Sequence, residues 1–131
     1  MHRASPHPPH VLIVEDDPML RRYLEEALQA CGYEIHSAGN GEEAAQWLST
    51  HEVDAVLTDV LMPEQDGVKL VAELKRHKPQ LPLVAMSGRG RTDLSIDSLS
   101  LMKALGADAT LEKPFSLNEL ERTLAFVLTK H

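Results

Sequence analysis

Five short, largely apolar runs, each followed by apolar residues at helical spacing, constrain this chain more than any other feature. The runs are Val11–Val14, Tyr33–Ala38, Val53–Thr58, Leu81–Met86 and Ala107–Glu112. Val11-Leu12-Ile13-Val14 has no polar position, as in a strand buried on both faces. A strand–helix unit repeated five times predicts a parallel sheet covered on both sides, with right-handed crossovers: a doubly wound α/β fold. A length of 131 residues suits one such domain with one core.

Local signals place the helices. Asp17 and Pro18 read as N-cap and first residue of a helix whose apolar face is Leu20, Tyr23, Leu24, Ala27, Leu28 and Cys31, ended by Gly32. Asn40 with Glu43 resembles a capping box, and Ala44, Trp47 and Leu48 face inward behind it. Trp47 reads as core, because no basic or aromatic sequence neighbour makes it a stacking platform. Gly67 leads a third helix with inner face Val68, Leu70, Val71 and Leu74. Lys75-Arg76-His77-Lys78 reads as its solvated C-terminus, where cations suit the helix dipole. A fourth helix is expected from about Leu94 to Leu105, stopped by Gly106. Ser116 and Glu119 form a capping box for the last helix, with Phe115 and Leu120 as a hydrophobic staple. Its buried face is Leu117, Leu120, Leu124, Val127 and Leu128.

Composition narrows the function classes. A net charge of −7 argues against nonspecific binding to nucleic acid or to an anionic membrane. No stretch approaches the roughly 20 apolar residues of a membrane span, and no signal peptide is visible. Cys31 is the single cysteine, so an intrachain disulfide is excluded and a reducing cytoplasm is the expected setting. Residues 1–10 (MHRASPHPPH) are expected to form a disordered arm, with residues 11–131 as the domain. His2, His7 and His10 read as part of a solvated tail.

In doubly wound folds, ligands sit at the C-terminal ends of the strands, beside the point where strand order reverses. Reactive groups end the strands here: Glu15-Asp16-Asp17, Asp59, Ser87 and Lys113. Taken alone, Asp59 reads as a helix cap or a turn residue. Taken together, Asp16, Asp17, Asp59, Ser87 and Lys113 share one sheet edge. Three carboxylates in one cleft repel each other, and a divalent cation relieves this. Mg²⁺ suits an oxygen-only donor set and often shares its shell with phosphate. A lysine and a hydroxyl beside it complete a site able to move a phosphoryl group onto an aspartate.

The pattern resembles the response-regulator receiver domain of two-component signalling, over residues 11 to about 129. The residues that carry the likeness are Val14-Glu15-Asp16-Asp17-Pro18, Asp59 with Met62-Pro63 and Gly67, Ser87-Gly88, and Lys113-Pro114-Phe115. The resemblance implies a flavodoxin-like, five-stranded sheet of order 2-1-3-4-5 with five helices. It implies a signalling phosphoacceptor, not an enzyme. Asp59 would take phosphate from a sensor histidine kinase or a histidine phosphotransfer protein. Asp17, Asp59 and the Leu61 backbone carbonyl would ligate Mg²⁺ directly, with Asp16 acting through water and Mn²⁺ as a possible substitute. Lys113 would pair with Asp59 and then with the phosphoryl group. Ser87 would bond a phosphoryl oxygen, with Leu61 and Gly88 lining the phosphoryl site. The Lys113–Pro114 bond would be cis. Glu15 reads either as a further member of the site or as a solvent-exposed neighbour. A downstream protein target would contact the fourth helix, fifth strand and last helix; no nucleic acid or membrane contact is implied for this chain.

Two departures from the family pattern stand out. Thr110 replaces an aromatic residue that usually swings inward with the hydroxyl residue, so the output face would signal differently. The stretch from Ser87 to Lys113 is a few residues longer than usual, with the extra material in Gly88–Asp97. That loop is expected to order on phosphorylation, and Arg89 to screen the site and alter phosphoryl lifetime. Three other readings compete. A haloacid-dehalogenase-like Mg²⁺ phosphatase would carry an acid two residues after the nucleophile, where Leu61 stands. A flavodoxin-like nucleotide binder would need a glycine loop where Glu-Asp-Asp-Pro stands. A degenerate receiver would only bind proteins, yet the full set of site residues is present.

Overall fold

The structure is a computed structural model and describes residues 8–60, 66–88, 100 and 102–129. Five parallel strands, β1 (His10–Val14), β2 (Glu34–Ala38), β3 (Ala55–Asp59), β4 (Leu83–Gly88) and β5 (Ala109–Lys113), form one sheet of order β2-β1-β3-β4-β5. The helices are α1 (Pro18–Ala30), α2 (Gly41–Leu48), α3 (Asp66–His77), α4 (described at 100 and 102–105) and α5 (Leu117–Thr129). The doubly wound reading therefore holds.

Alternation along the strands builds two cores, one on each side of the sheet. Leu12, Val14, Val56 and Ala85 pack with Leu48, Leu70, Val71, Leu74 and Met102 on the side of α2, α3 and α4. Val11, Ile13, Leu57, Val84 and Met86 pack with Leu24, Leu28, Leu120 and Leu124 on the side of α1 and α5. Each fully buried Leu, Ile or Val contributes about 1.5–3 kcal/mol relative to leaving it in water, so these two layers dominate the favourable terms.

The caps behave as their chemistry dictates. Asp17 accepts from Met19 N at 3.0 Å, and Asn40 accepts from Glu43 N at 2.8 Å. Ser116 Oγ accepts from Glu119 N at 3.0 Å. Gly32 ends α1 with φ +100°, a conformation that favours glycine. The Lys113–Pro114 bond is cis.

Several expectations change. Tyr23 and Leu117 lie at the surface. Lys75 is no solvated helix end: its ammonium donates to the Pro79 and Leu81 carbonyls and pairs with half-buried Asp108 at 3.2 Å. Lys78 likewise donates to the Leu48 carbonyl at 3.2 Å. Trp47 is half-buried at the rim of its core, flanked by His36 and His51. The folded part begins before Val11, since His10 pairs with Glu34 in the sheet and the Pro9 carbonyl accepts from Glu34 N at 2.9 Å.

Candidate functional site

Strand order reverses between β1 and β3, which leaves β1 with β2 on one side and β3 on the other. The crevice at their C-terminal ends holds the acidic residues. Asp59 is the last residue of β3 and is 5% exposed. Its carboxylate Oδ2 accepts from Lys113 Nζ at 2.9 Å, across the sheet from the end of β5. Lys113 Nζ also donates to Glu15 Oε1 at 3.2 Å. One ammonium thus bridges two buried carboxylates, one just past the end of β1 and one at the end of β3.

Glu15 is 1% exposed, which corrects the solvent-exposed reading. Both ends of its peptide are tied. Its N–H donates to the Ala38 carbonyl at 3.1 Å, and its carbonyl accepts from Arg21 Nη1 at 2.8 Å. Its Oε2 accepts from Asp17 N at 3.2 Å. Burial pushes the Glu15 carboxyl up to about 7, with the Asp59 charge acting in the same direction and Lys113 opposing both. Burial pulls Lys113 down, but its hydrogen bond to Asp59 and the charges of Asp59 and Glu15 prevail and hold it above the ordinary lysine range.

Carboxylate oxygens of Glu15, Asp16 and Asp59 lie within 4.8 Å of one another, close enough to hold one cation. Asp17, expected as a direct ligand, is not in this group. One of its carboxylate oxygens accepts from Met19 N at the N-terminus of α1, and the third acid of the group is Glu15. Asp16 and Asp59 come together as expected. Arg21 was not foreseen: it sits on α1 and anchors the acidic turn through the Glu15 carbonyl. Its signal in the sequence, one of two adjacent arginines about one turn past the cap, is weak.

Ser87 is fully buried near the end of β4, and its hydroxyl has no hydrogen-bond partner among the described residues. A buried hydroxyl left unpaired costs about 1–3 kcal/mol. Ser87→Ala is therefore expected to raise the stability of the unphosphorylated protein by about 1 kcal/mol, read by urea denaturation. A loss of stability would show that the hydroxyl already has a partner. Gly88 pairs with Lys113 and Thr110 with Ala85 in the sheet, so both follow the β4–β5 edge. Thr110 is half-buried. Leu61, Arg89 and the rest of the Gly88–Asp97 loop lie outside the described residues.

Gly67, in the first turn of α3, fits against the end of β3. A Cβ there would lie 2.6 Å from Val60 Cα and 3.1 Å from the Asp59 carbonyl carbon. Backbone contact this close holds the strand end that carries Asp59.

Residues 11–125 match the family model described as response regulator receiver domain. The chain is 36% identical over 110 residues to the DNA-binding transcriptional regulator NtrC of Bradyrhizobium sp. (strain RP501 Parasponia), covering 84% of this chain and 22% of that protein. It is 33% identical over 121 residues to the probable transcriptional regulator ycf27 of Cyanidium caldarium, covering 92% of this chain and 47% of that one. The chain spans less than half the length of either relative. The crystal structure of a putative response regulator from Chloroflexus aurantiacus J-10-fl superposes with a TM-score of 0.83 at 33% identity, covering 93% of this chain and 98% of that one. The family match, the relatives and the acid–lysine cluster at the switch of strand order agree: the chain belongs to the response regulator receiver domain family.

Proposed function

We propose that Asp59 accepts a phosphoryl group from the phosphohistidine of a sensor histidine kinase or histidine phosphotransfer protein. The observation that carries this reading is the bridge from Lys113 to both Asp59 and Glu15, beside the unpaired Ser87 hydroxyl. In the transfer, an Asp59 carboxylate oxygen forms a bond to phosphorus. The bond from phosphorus to the imidazole nitrogen breaks, and that nitrogen leaves with its electron pair and takes a proton. Lys113 then moves from the Asp59 carboxylate to an oxygen of the phosphoryl group, and the Ser87 hydroxyl gains a partner on another.

The donor set fits Mg²⁺, with oxygen ligands alone and three acids that repel each other without a cation. Asp16 and Asp59 would hold it, with Glu15 beside them and the Leu61 carbonyl as a further candidate. Mn²⁺ would substitute. When bound, Mg²⁺ neutralises charge on the transferring phosphoryl oxygens. The Ser87 hydroxyl fits the other half of the requirement, because a phosphoryl oxygen is the acceptor it lacks.

The output surface we assign to α4, β5 and α5, as a contact for a downstream protein. Among the described residues, no helix is long and apolar enough to cross a membrane. The test is incubation with Mg²⁺ and acetyl phosphate, followed by intact mass. Wild type is expected to gain one phosphoryl group, and Asp59→Asn or added chelator to abolish the gain. Equal labelling of Asp59→Asn would place the acceptor elsewhere. No labelling from acetyl phosphate or from a phosphorylated histidine phosphotransfer protein would leave a receiver that only binds partners.

A further inference from the structure

At the opposite end of β1 from the acidic crevice, two histidines face each other across the sheet edge. His10 opens β1 and His36 lies on β2, and both are half-buried. His10 Nδ1 and His36 Nε2 stand 3.1 Å apart. The ring centroids are 5.3 Å apart and the planes differ by 13°. The two nearly parallel rings thus bring one nitrogen of each within hydrogen-bond distance of the other. Trp47 lies against His36 with a centroid distance of 4.7 Å, and His51 stacks on Trp47 at 4.2 Å. The pair is well anchored: Asp54 Oδ2 accepts from His10 N at 2.7 Å, and the Asp54 N–H donates to the His10 carbonyl at 2.7 Å.

We propose that His10 and His36 form a binding site for a divalent transition-metal ion such as Ni²⁺, Cu²⁺ or Zn²⁺, separate from the acidic Mg²⁺ cleft. Two imidazole nitrogens held about 2.0–2.1 Å from one Zn²⁺ stand roughly 3.0–3.4 Å from each other, so the observed 3.1 Å already matches two neighbouring ligands on one ion. The ion needs a lone pair from each nitrogen, and a modest tilt of the rings about their soft terminal torsions supplies the angle. The proton now shared between the rings moves, through solvent, to the far nitrogen of the donor ring. Both rings stay neutral, and water completes the coordination. Nitrogen donors select against Mg²⁺ and follow the Irving–Williams order.

Trp47 is the single tryptophan of the chain and touches His36, so its fluorescence reports this site directly. The experiment titrates the untagged full chain with Ni²⁺ and follows Trp47 emission. The expected result is saturable quenching at micromolar Ni²⁺, unchanged by millimolar Mg²⁺. His10→Gln and His36→Gln are each expected to raise the half-saturating concentration about tenfold or more, since each removes one of two protein ligands. His2→Gln combined with His7→Gln is expected to leave it unchanged. Circular dichroism confirms folding of each variant, and His10→Gln, at the start of its strand, is the milder of the two. Absence of saturable quenching would overturn the proposal. So would quenching that folded His10→Gln and His36→Gln retain, quenching displaced by Mg²⁺, or quenching lost with His2 and His7. None of these outcomes depends on phosphoryl chemistry.

Discussion

Gly67→Ala is expected to cost about 2–3 kcal/mol of stability and to lower the thermal midpoint by roughly 10 °C. The added Cβ would fall 2.6 Å from Val60 Cα, against backbone that no side-chain rotation can relieve. Either α3 moves away from the sheet or the end of β3 moves, and the end of β3 is Asp59. A displacement of about 1 Å at a reacting group costs on the order of 10²-fold in rate. Labelling from acetyl phosphate should therefore fall far more than the stability loss alone explains, when measured well below the melting temperature. Gly32→Ala is the contrast. Gly32 has φ +100° but nothing within 4 Å of its missing Cβ. Its substitution should cost about 1 kcal/mol of backbone strain and leave labelling intact. Equal labelling rates in folded Gly67→Ala and wild type would show that the close approach does not position Asp59.

The parallel sheet, the two-sided core and the gathering of Asp59, Ser87 and Lys113 at one edge were legible because each rests on periodicity and on strand polarity; the sheet order was legible only through the family resemblance. Which acids of Glu15-Asp16-Asp17 enter the cleft was not. Three consecutive carboxylates differ by rotation about the chain, and pattern alone does not rank them. The cap bears on this: Asp17 turns one carboxylate oxygen to Met19 N at the start of α1, while Glu15, Asp16 and Asp59 converge. Contacts between distant segments were equally hidden. Trp47 lacks aromatic neighbours in sequence, yet β2 supplies His36 and the turn after α2 supplies His51. Lys75 stands in a basic run that reads as solvated, and its partner Asp108 is 33 residues away. Helical spacing likewise gives the direction of Tyr23 and Leu117 without saying how far the neighbouring elements extend to cover them.

Lys113→Met removes the charge while keeping an unbranched side chain of similar length, and should separate neutralisation from packing. Without the ammonium, Glu15 and Asp59 are buried acids with no cation between them. Removing one partner of such a cluster costs about 3–5 kcal/mol when the remaining charges cannot neutralise. Here Glu15 can. Its folded value of about 7 lies above its ordinary 4.5, so the folded protein binds the proton more tightly than the unfolded chain. The penalty for ionised Glu15 is absent below about 4.5 and accumulates as pH rises towards 7. Lys113 lowers the Glu15 value, so its loss pushes the carboxyl further up and extends that window. The variant should therefore lose less stability at pH 5, where only the Asp59 contact is missing, than at pH 8, where it should be several kcal/mol weaker than wild type. Mg²⁺ supplies the missing positive charge, so it should stabilise Lys113→Met more than wild type at pH 8. Labelling of Asp59 should still fall sharply, because Mg²⁺ does not replace a donor aimed at the phosphoryl oxygens. Urea denaturation at the two pH values, with and without Mg²⁺, measures the first two effects, and intact mass measures the third. A loss equal at both pH values and indifferent to Mg²⁺ would mean that Lys113 contributes packing, and unaltered labelling would remove it from the transfer step.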